Sequence, residues 1–142
     1  MPYKFHFKPN NASALTLNDY AARFIDAGLT PRSMQDPTVR RFILSKQGTL
    51  YVTHTPAKEE LHAVVQINLT DLRPEAERVR HRLETWLRLA AQTDSMIHDG
   101  YTMDLLVDEQ SIAACVERII AKRMDCFKGG QTWVMKDFRI RP

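Results

Sequence analysis

The chain has 142 residues, of which 44% are hydrophobic and 26% charged, and its formal net charge is +3. These proportions exclude a disordered, collagenous or coiled-coil chain, and they can fill the core of a single domain over residues 1–142. No apolar run approaches the roughly 18 residues of a membrane span, and the first ten residues lack the apolar centre of a signal peptide. We therefore expect a soluble, cytoplasmic protein.

The first elements are a short strand at residues 3–7 and an amphipathic helix in the segment "TLNDYAARFIDAGLTP". Thr16 followed by Asp19 has the spacing of a capping box, which satisfies backbone groups at the start of a helix. Gly28 and Pro31 are typical of the end of a helix. This segment therefore predicts one complete helix with both ends marked.

Residues 39–69 change to a period of two, which predicts a three-stranded antiparallel meander. The apolar pattern aligns Val52 with Ala63 and Leu50 with Val65 on one face. The same alignment places Ile43 on this face, opposite Val52.

The second face of the meander carries Phe42, Leu44 and Tyr51, more apolar surface than a solvated face usually shows. Two explanations remain open. A further helix layer covers these side chains, or a partner does, including a second copy of the chain.

Four more elements follow the meander. Residues 70–91 have an apolar stripe of helical period, Asp99-Gly100 predicts a turn into a strand over residues 101–107, and Asp108 caps a helix over residues 109–127. Gly129 and Gly130 end that helix, and a closing strand follows within residues 131–142. The resulting fold class is α+β: an antiparallel sheet around the meander, with about three amphipathic helices packed mainly on one face.

The residue types of catalytic and metal sites occur without the partners that such chemistry needs. His54 and His62 point to opposite faces in the predicted register, and no Cys or carboxylate completes a set with zinc spacing. Cys115 and Cys126 share one helix and are interpreted as reduced, inert thiols. We expect no metal and no cofactor, and an enzyme ranks third among the hypotheses, with a pocket at His54, His62 or Asp104.

The first hypothesis is a small non-enzymatic binding protein, such as a bacterial-type adaptor, inhibitor or immunity protein, that acts through protein contacts or self-association. Trp and Tyr are frequent anchors of such interfaces, and an apolar sheet face offers them a platform. The contact candidates are Phe42, Leu44, Tyr51 and Trp133.

The alternative hypothesis is a nucleic-acid-binding protein. Residues 118–142 contain seven Lys or Arg residues against two Asp residues, and such clusters of positive charge attract phosphates without reading sequence. The candidate contacts are Lys122, Arg123, Lys136, Arg139 and Arg141.

Overall fold

The structure, a computed structural model, describes residues 2–11, 15–43, 48–55, 60–69 and 75–138, and within the last range it describes side chains as far as residue 125. These residues form three helices and six strands. In chain order the elements are β1 (Pro2–Pro9), α1 (Leu17–Asp26), β2 (Pro31–Arg32), β3 (Val39–Ile43), β4 (Thr49–Thr55), β5 (Glu60–Asn68), α2 (Ala76–Gln92), β6 (Ser95–Asp99) and α3 (Glu109–Phe138).

The six strands form one antiparallel sheet in the order β2-β3-β4-β5-β1-β6. The three strands of the meander are neighbours, whereas β1 lies between β5 and β6 although it comes first in the chain. The α+β class predicted from the sequence is confirmed.

The first helix forms as its end signals predict. The Thr16 hydroxyl accepts a hydrogen bond from the Asp19 backbone N–H, and the Asp19 carboxylate accepts one from the Thr16 N–H, both at 3.1 Å. Gly28, just beyond the helix, has a φ of 101°, a conformation that residues with a side chain rarely adopt. The capping box and the glycine stop therefore define both ends of α1.

The core lies between one face of the sheet and the three helices. Alternate residues of β1, β4 and β5 are buried there, and the ring of Phe24 on α1 lies 6.2 Å from that of Phe7 and 6.0 Å from that of Phe42. The largest enclosed side chains are Trp86, Tyr20, Phe5, Phe7, Phe24 and Phe42. Helices on one face of the sheet are what the sequence predicts.

The β4–β5 register confirms the predicted pairs, Val52 with Ala63 and Leu50 with Val65. The placement of Ile43 is wrong. Phe42 pairs with Leu50 and lies in the core, whereas Ile43 pairs with Thr49 and lies on the opposite face. The observed register differs from the predicted one by three residues, since Val52 pairs with Arg40, and any odd shift exchanges the two faces of a strand.

The long helix α2 is confirmed, with its buried side chains at helical spacing along one face. The strand expected next, over residues 101–107, is wrong. The chain turns at Thr93 and Asp94 and forms β6 immediately, whereas Leu105 makes only an isolated bridge to His98. Residues 101–107 return beside β6 without forming a strand.

The closing strand and the helix end at Gly129 and Gly130 are also wrong, because α3 continues to Phe138. An interior glycine costs a helix only about 1 kcal/mol relative to alanine, so a pair weakens a helix without necessarily ending it. The start is as predicted: the Asp108 carboxylate accepts a hydrogen bond of 2.8 Å from the Ser111 N–H.

Candidate functional site

The sheet face opposite the core is the largest functional candidate, and we call it the open face. The described helices direct their buried side chains to the other side of the sheet, and no open-face side chain is buried. Among the residues whose side chains the structure describes, the open face comprises Lys4, His6 and Lys8 on β1; Val39, Arg41 and Ile43 on β3; Thr49, Tyr51 and Thr53 on β4; His62, Val64, Gln66 and Asn68 on β5; and Met96 and His98 on β6.

Strand register aligns five of these residues in one row across the sheet, which we call the central row. Its members are Arg41, Tyr51, Val64, His6 and His98, each paired with the next on a neighbouring strand. Paired residues of antiparallel strands have Cβ atoms about 5 Å apart, so the side chains of the row form a continuous surface.

The charged side chains described on the open face are positive. Its fixed cations are Lys4, Lys8 and Arg41, and Arg32 on β2 pairs with Arg41 and extends the row at that end. None of the residues named above is a carboxylate, although Glu60, two positions before His62 on β5, falls on the same face of the strand by alternation. The surface is therefore suited to an anionic ligand and repels a surface of its own kind.

Histidines concentrate on the half of the open face formed by β5, β1 and β6. The rings of His6 and His62 have centroids 6.4 Å apart, and His6 pairs directly with His98. Burial and the nearby His62, Lys4, His98 and Lys8 lower the pKa of His6 below its ordinary value. The His6 imidazole therefore favours the neutral form.

His98 follows the same trend. Burial and Lys8 lower its pKa, and a backbone hydrogen bond with His6 opposes them in part. A neutral imidazole has one hydrogen-bond donor and one acceptor. Its flat ring can also stack on another flat group.

Histidine clusters also raise the question of a metal site. Among the residues described, no group of three or more His, Cys, Asp or Glu side chains could hold a metal ion. The predicted opposition of His54 and His62 is confirmed, since His54 pairs with Leu61 and His62 with Thr53.

A second polar cluster lies on the core side, around the fully buried Asp99. The Tyr3 hydroxyl lies 2.8 Å from both carboxylate oxygens, the Tyr101 N–H donates to the same group at 2.8 Å, and the Arg118 guanidinium forms an ion pair with it. Burial, followed by the Asp99 charge, raises the pKa of the Cys115 thiol well above its ordinary value.

This cluster is enclosed: Tyr3 is 4% exposed, and Asp99 and Cys115 are 0% exposed. A substrate could not reach the carboxylate, and the thiol stays protonated. The network therefore joins β1, β6 and α3 structurally. Sequence reasoning treated Asp99 only as part of a turn, because the hydroxyl and guanidinium that hold it are 96 and 19 residues away.

Of the predicted protein contacts, Tyr51 alone is placed on the open face by the described structure, in the central row. Phe42 is 0% exposed in the core and is not available as a contact, for the register reason given above. Leu44 lies outside the described residues. Trp133 belongs to α3, at a position whose side chain is not described.

The predicted nucleic-acid contacts fall on α3 or beyond it. The Lys122 ammonium lies 2.6 Å from the Tyr101 hydroxyl and 3.8 Å from the centre of its ring. Arg123 is half-buried, and Lys136 lies where the helix is described without side chains. The last two, Arg139 and Arg141, lie outside the described residues.

Two cavities lined by described residues bring no catalytic groups together. A cavity of about 350 Å³ is lined by Arg23, Asp26, Ala27 and Gln92. Another of about 230 Å³ is lined mainly by apolar side chains of α2 and β6. Neither has His54, His62 or Asp104 in its described lining.

Comparison with protein-family models, with curated proteins and with solved structures finds no match for this chain. No helix in the described residues is long and apolar enough to cross a membrane. Function must therefore be argued from the open face itself.

Proposed function

We propose that this chain is a small non-enzymatic binding protein that holds an anionic macromolecule against the open face of its sheet. The observation that carries the proposal is the composition of that face: its described side chains include lysines, an arginine and imidazoles, none of them is a carboxylate or buried, and alternation along β5 adds Glu60 to the same face. A sheet needs only one buried face to be stable, so the second face is available for recognition.

Charge favours an anionic partner over self-association through this face. If two copies met face to face, Lys4, Lys8 and Arg41 of each would approach the same cations of the other. Like charges brought together across an interface are destabilising, whereas an anionic chain neutralises them and releases counterions. The proposal keeps the binding function predicted from the sequence, but it assigns that function to the cationic side chains of the open face instead of the apolar contact candidates.

The test is a fluorescence anisotropy titration of three labelled polyanions: an oligonucleotide, a polyglutamate peptide and a sulfated oligosaccharide. We expect at least one to bind at about 50 mM salt and to weaken strongly at about 200 mM. Replacing Lys4 and Lys8 by glutamine should lower its affinity about tenfold and reduce the salt slope by roughly one to two, because two ionic contacts are lost.

The matched control replaces two exposed arginines of α2, Arg78 and Arg88, by glutamine. Both double variants lose two positive charges, but only the first loses them from the open face. Equal loss of affinity in both would show a response to net charge and would overturn the proposal. Failure of all three polyanions to bind at either salt concentration would also overturn it.

A further inference from the structure

The rings of the open face narrow the choice of anionic partner. His6, Tyr51 and His98 lie in the central row, and His62 lies 6.4 Å from His6, ring centre to ring centre. Nucleic-acid bases stack on tyrosine and histidine rings, and each such contact contributes to affinity whatever the base. An acidic peptide or a sulfated sugar has no flat ring among its anionic groups.

Building on the proposed function, we propose that the partner is a single-stranded nucleic acid that lies along the central row, with bases stacked on Tyr51 and the histidines. The row crosses five strands, from Arg41 on β3 to His98 on β6. At about 4.8 Å between strands, it is about 19 Å long. That length suits the smaller single-strand sites, of about four nucleotides.

Cations lie where the phosphates of such a strand would pass. Lys4 and Lys8 are two residues before and two residues after His6 on β1, so they are on the same face, about 7 Å to either side of the row. Arg41 and Arg32 continue the row at its β3 end. Bases lying on the row would contact its aromatic and imidazole rings, and phosphates beside it would contact the lysines and arginines.

The histidines suit bases better than phosphates. Burial and the neighbouring positive groups keep the pKa of His6 and of His98 low, so both rings favour the neutral state. A neutral ring stacks and exchanges hydrogen bonds with base edges, while the ionic contacts remain with the lysines and arginines.

A duplex would use this surface poorly. Its bases are stacked on one another inside the helix, so the rings of the central row could not reach their flat sides. Only phosphate contacts would remain. The row therefore predicts a preference for single strands that persists at high salt, where ionic contacts weaken.

The experiment compares a labelled single-stranded oligonucleotide of about 12 nucleotides with its duplex and with a polyglutamate peptide of equal charge, at about 200 mM salt. We expect the single strand to bind at least about tenfold more tightly than either. Tyr51→Ala should lower its affinity about tenfold without changing the salt slope, since stacking releases no counterions. Tyr51→Phe keeps the ring and should bind nearly as the parent does.

Tyr101→Ala is the matched control, because Tyr101 is 62% exposed and lies outside the open face. It should keep full affinity, and a thermal melt should show that each variant is folded. Equal binding of duplex and single strand, or no effect of Tyr51→Ala, would overturn this inference and leave the proposed function standing. Tightest binding of polyglutamate would replace it with an acidic protein partner. No binding by any of the three would refute this inference, and the titration of the three polyanions at about 50 mM salt would then decide the proposed function.

Discussion

On β5, Leu61, Ala63 and Val65 point to the helices and are buried, whereas the alternating residues His62 and Val64 point to the open face and are not. The same alternation on β1 buries aromatic rings on one side and displays lysines and a histidine on the other. One set of strands thus serves two purposes. The covered face supplies the stability of the fold, and the open face can carry charges and half-buried rings that a core would exclude.

Two adjacent residues of β3 give the largest expected difference in stability between the covered face and the open face. Phe42→Ala should lower the free energy of unfolding by about 3–5 kcal/mol, because Phe42 is enclosed and packs on Phe24. Ile43→Ala, one residue later on the open face, should cost about 1 kcal/mol or less. Urea denaturation measures both, and similar losses would contradict the division into two faces.

A second test concerns Asp99, a carboxylate that is buried on the covered side of the sheet. Asp99→Asn should cost about 3 kcal/mol, because it leaves the Arg118 guanidinium without its ion pair and disturbs the bond from Tyr3. Asp104→Asn makes the same chemical change at an exposed position nearby and should change the unfolding free energy by less than about 0.5 kcal/mol. If Asp99→Asn had only a small effect in chemical denaturation, the contacts of Asp99 with Tyr3 and Arg118 would not stabilise the fold as proposed.

The third test changes the same residue type on both faces. Val65→Ala removes two methyl groups from the core and should cost about 2 kcal/mol, whereas Val64→Ala should cost less than about 1 kcal/mol. Thermal unfolding of the two variants would measure the two losses of unfolding free energy. If Val64→Ala were the more harmful, something would cover the open face in solution.

The smallest expected effect is a dependence on pH. The pKa of His6 and of His98 is lowered in the folded chain, so below an ordinary histidine pKa of about 6.5 the unfolded chain binds protons that the folded chain resists. The free energy of unfolding should therefore fall as the pH falls from about 7 to about 5. His6→Gln should flatten this slope, measured by urea denaturation at several pH values.

The control for that measurement is His81→Gln, at an exposed position on α2. It should leave the slope of the parent protein unchanged. A parent protein whose stability rises on acidification over the same range would contradict the assignment of the two open-face histidines as preferentially neutral.

Local signals predicted much of the fold. The Thr16–Asp19 capping box, the stripe of α2 and the β4–β5 register depend on residues close in sequence or on a strict apolar alternation, and the structure confirms them. The predicted final strand is wrong because alternation of apolar and charged residues is only weak evidence for a strand. The same residues can also continue a long helix. The strand at residues 101–107 failed because the turn before β6 has weaker sequence markers than Asp99-Gly100.

The candidate site could be predicted only in part. Tyr51 was found because an aromatic residue stood on the second face of a predicted meander. His6 and His98 were missed because their meeting depends on β1 lying beside β6, which no periodicity of either segment reveals. Strand order is a property of the whole chain, so a row that crosses five strands is hidden until that order is known.

The interior position of β1 has a consequence for how the protein is made. Residues 2–9 leave the ribosome before both of their neighbours, since β5 is completed only at residue 68 and β6 only at residue 99. Until then the apolar side of β1 has no sheet to join, and such exposed segments are prone to aggregation. The nascent chain therefore has to keep β1 unpaired until β5 has been translated, so we expect the yield to depend on chaperone binding during that interval.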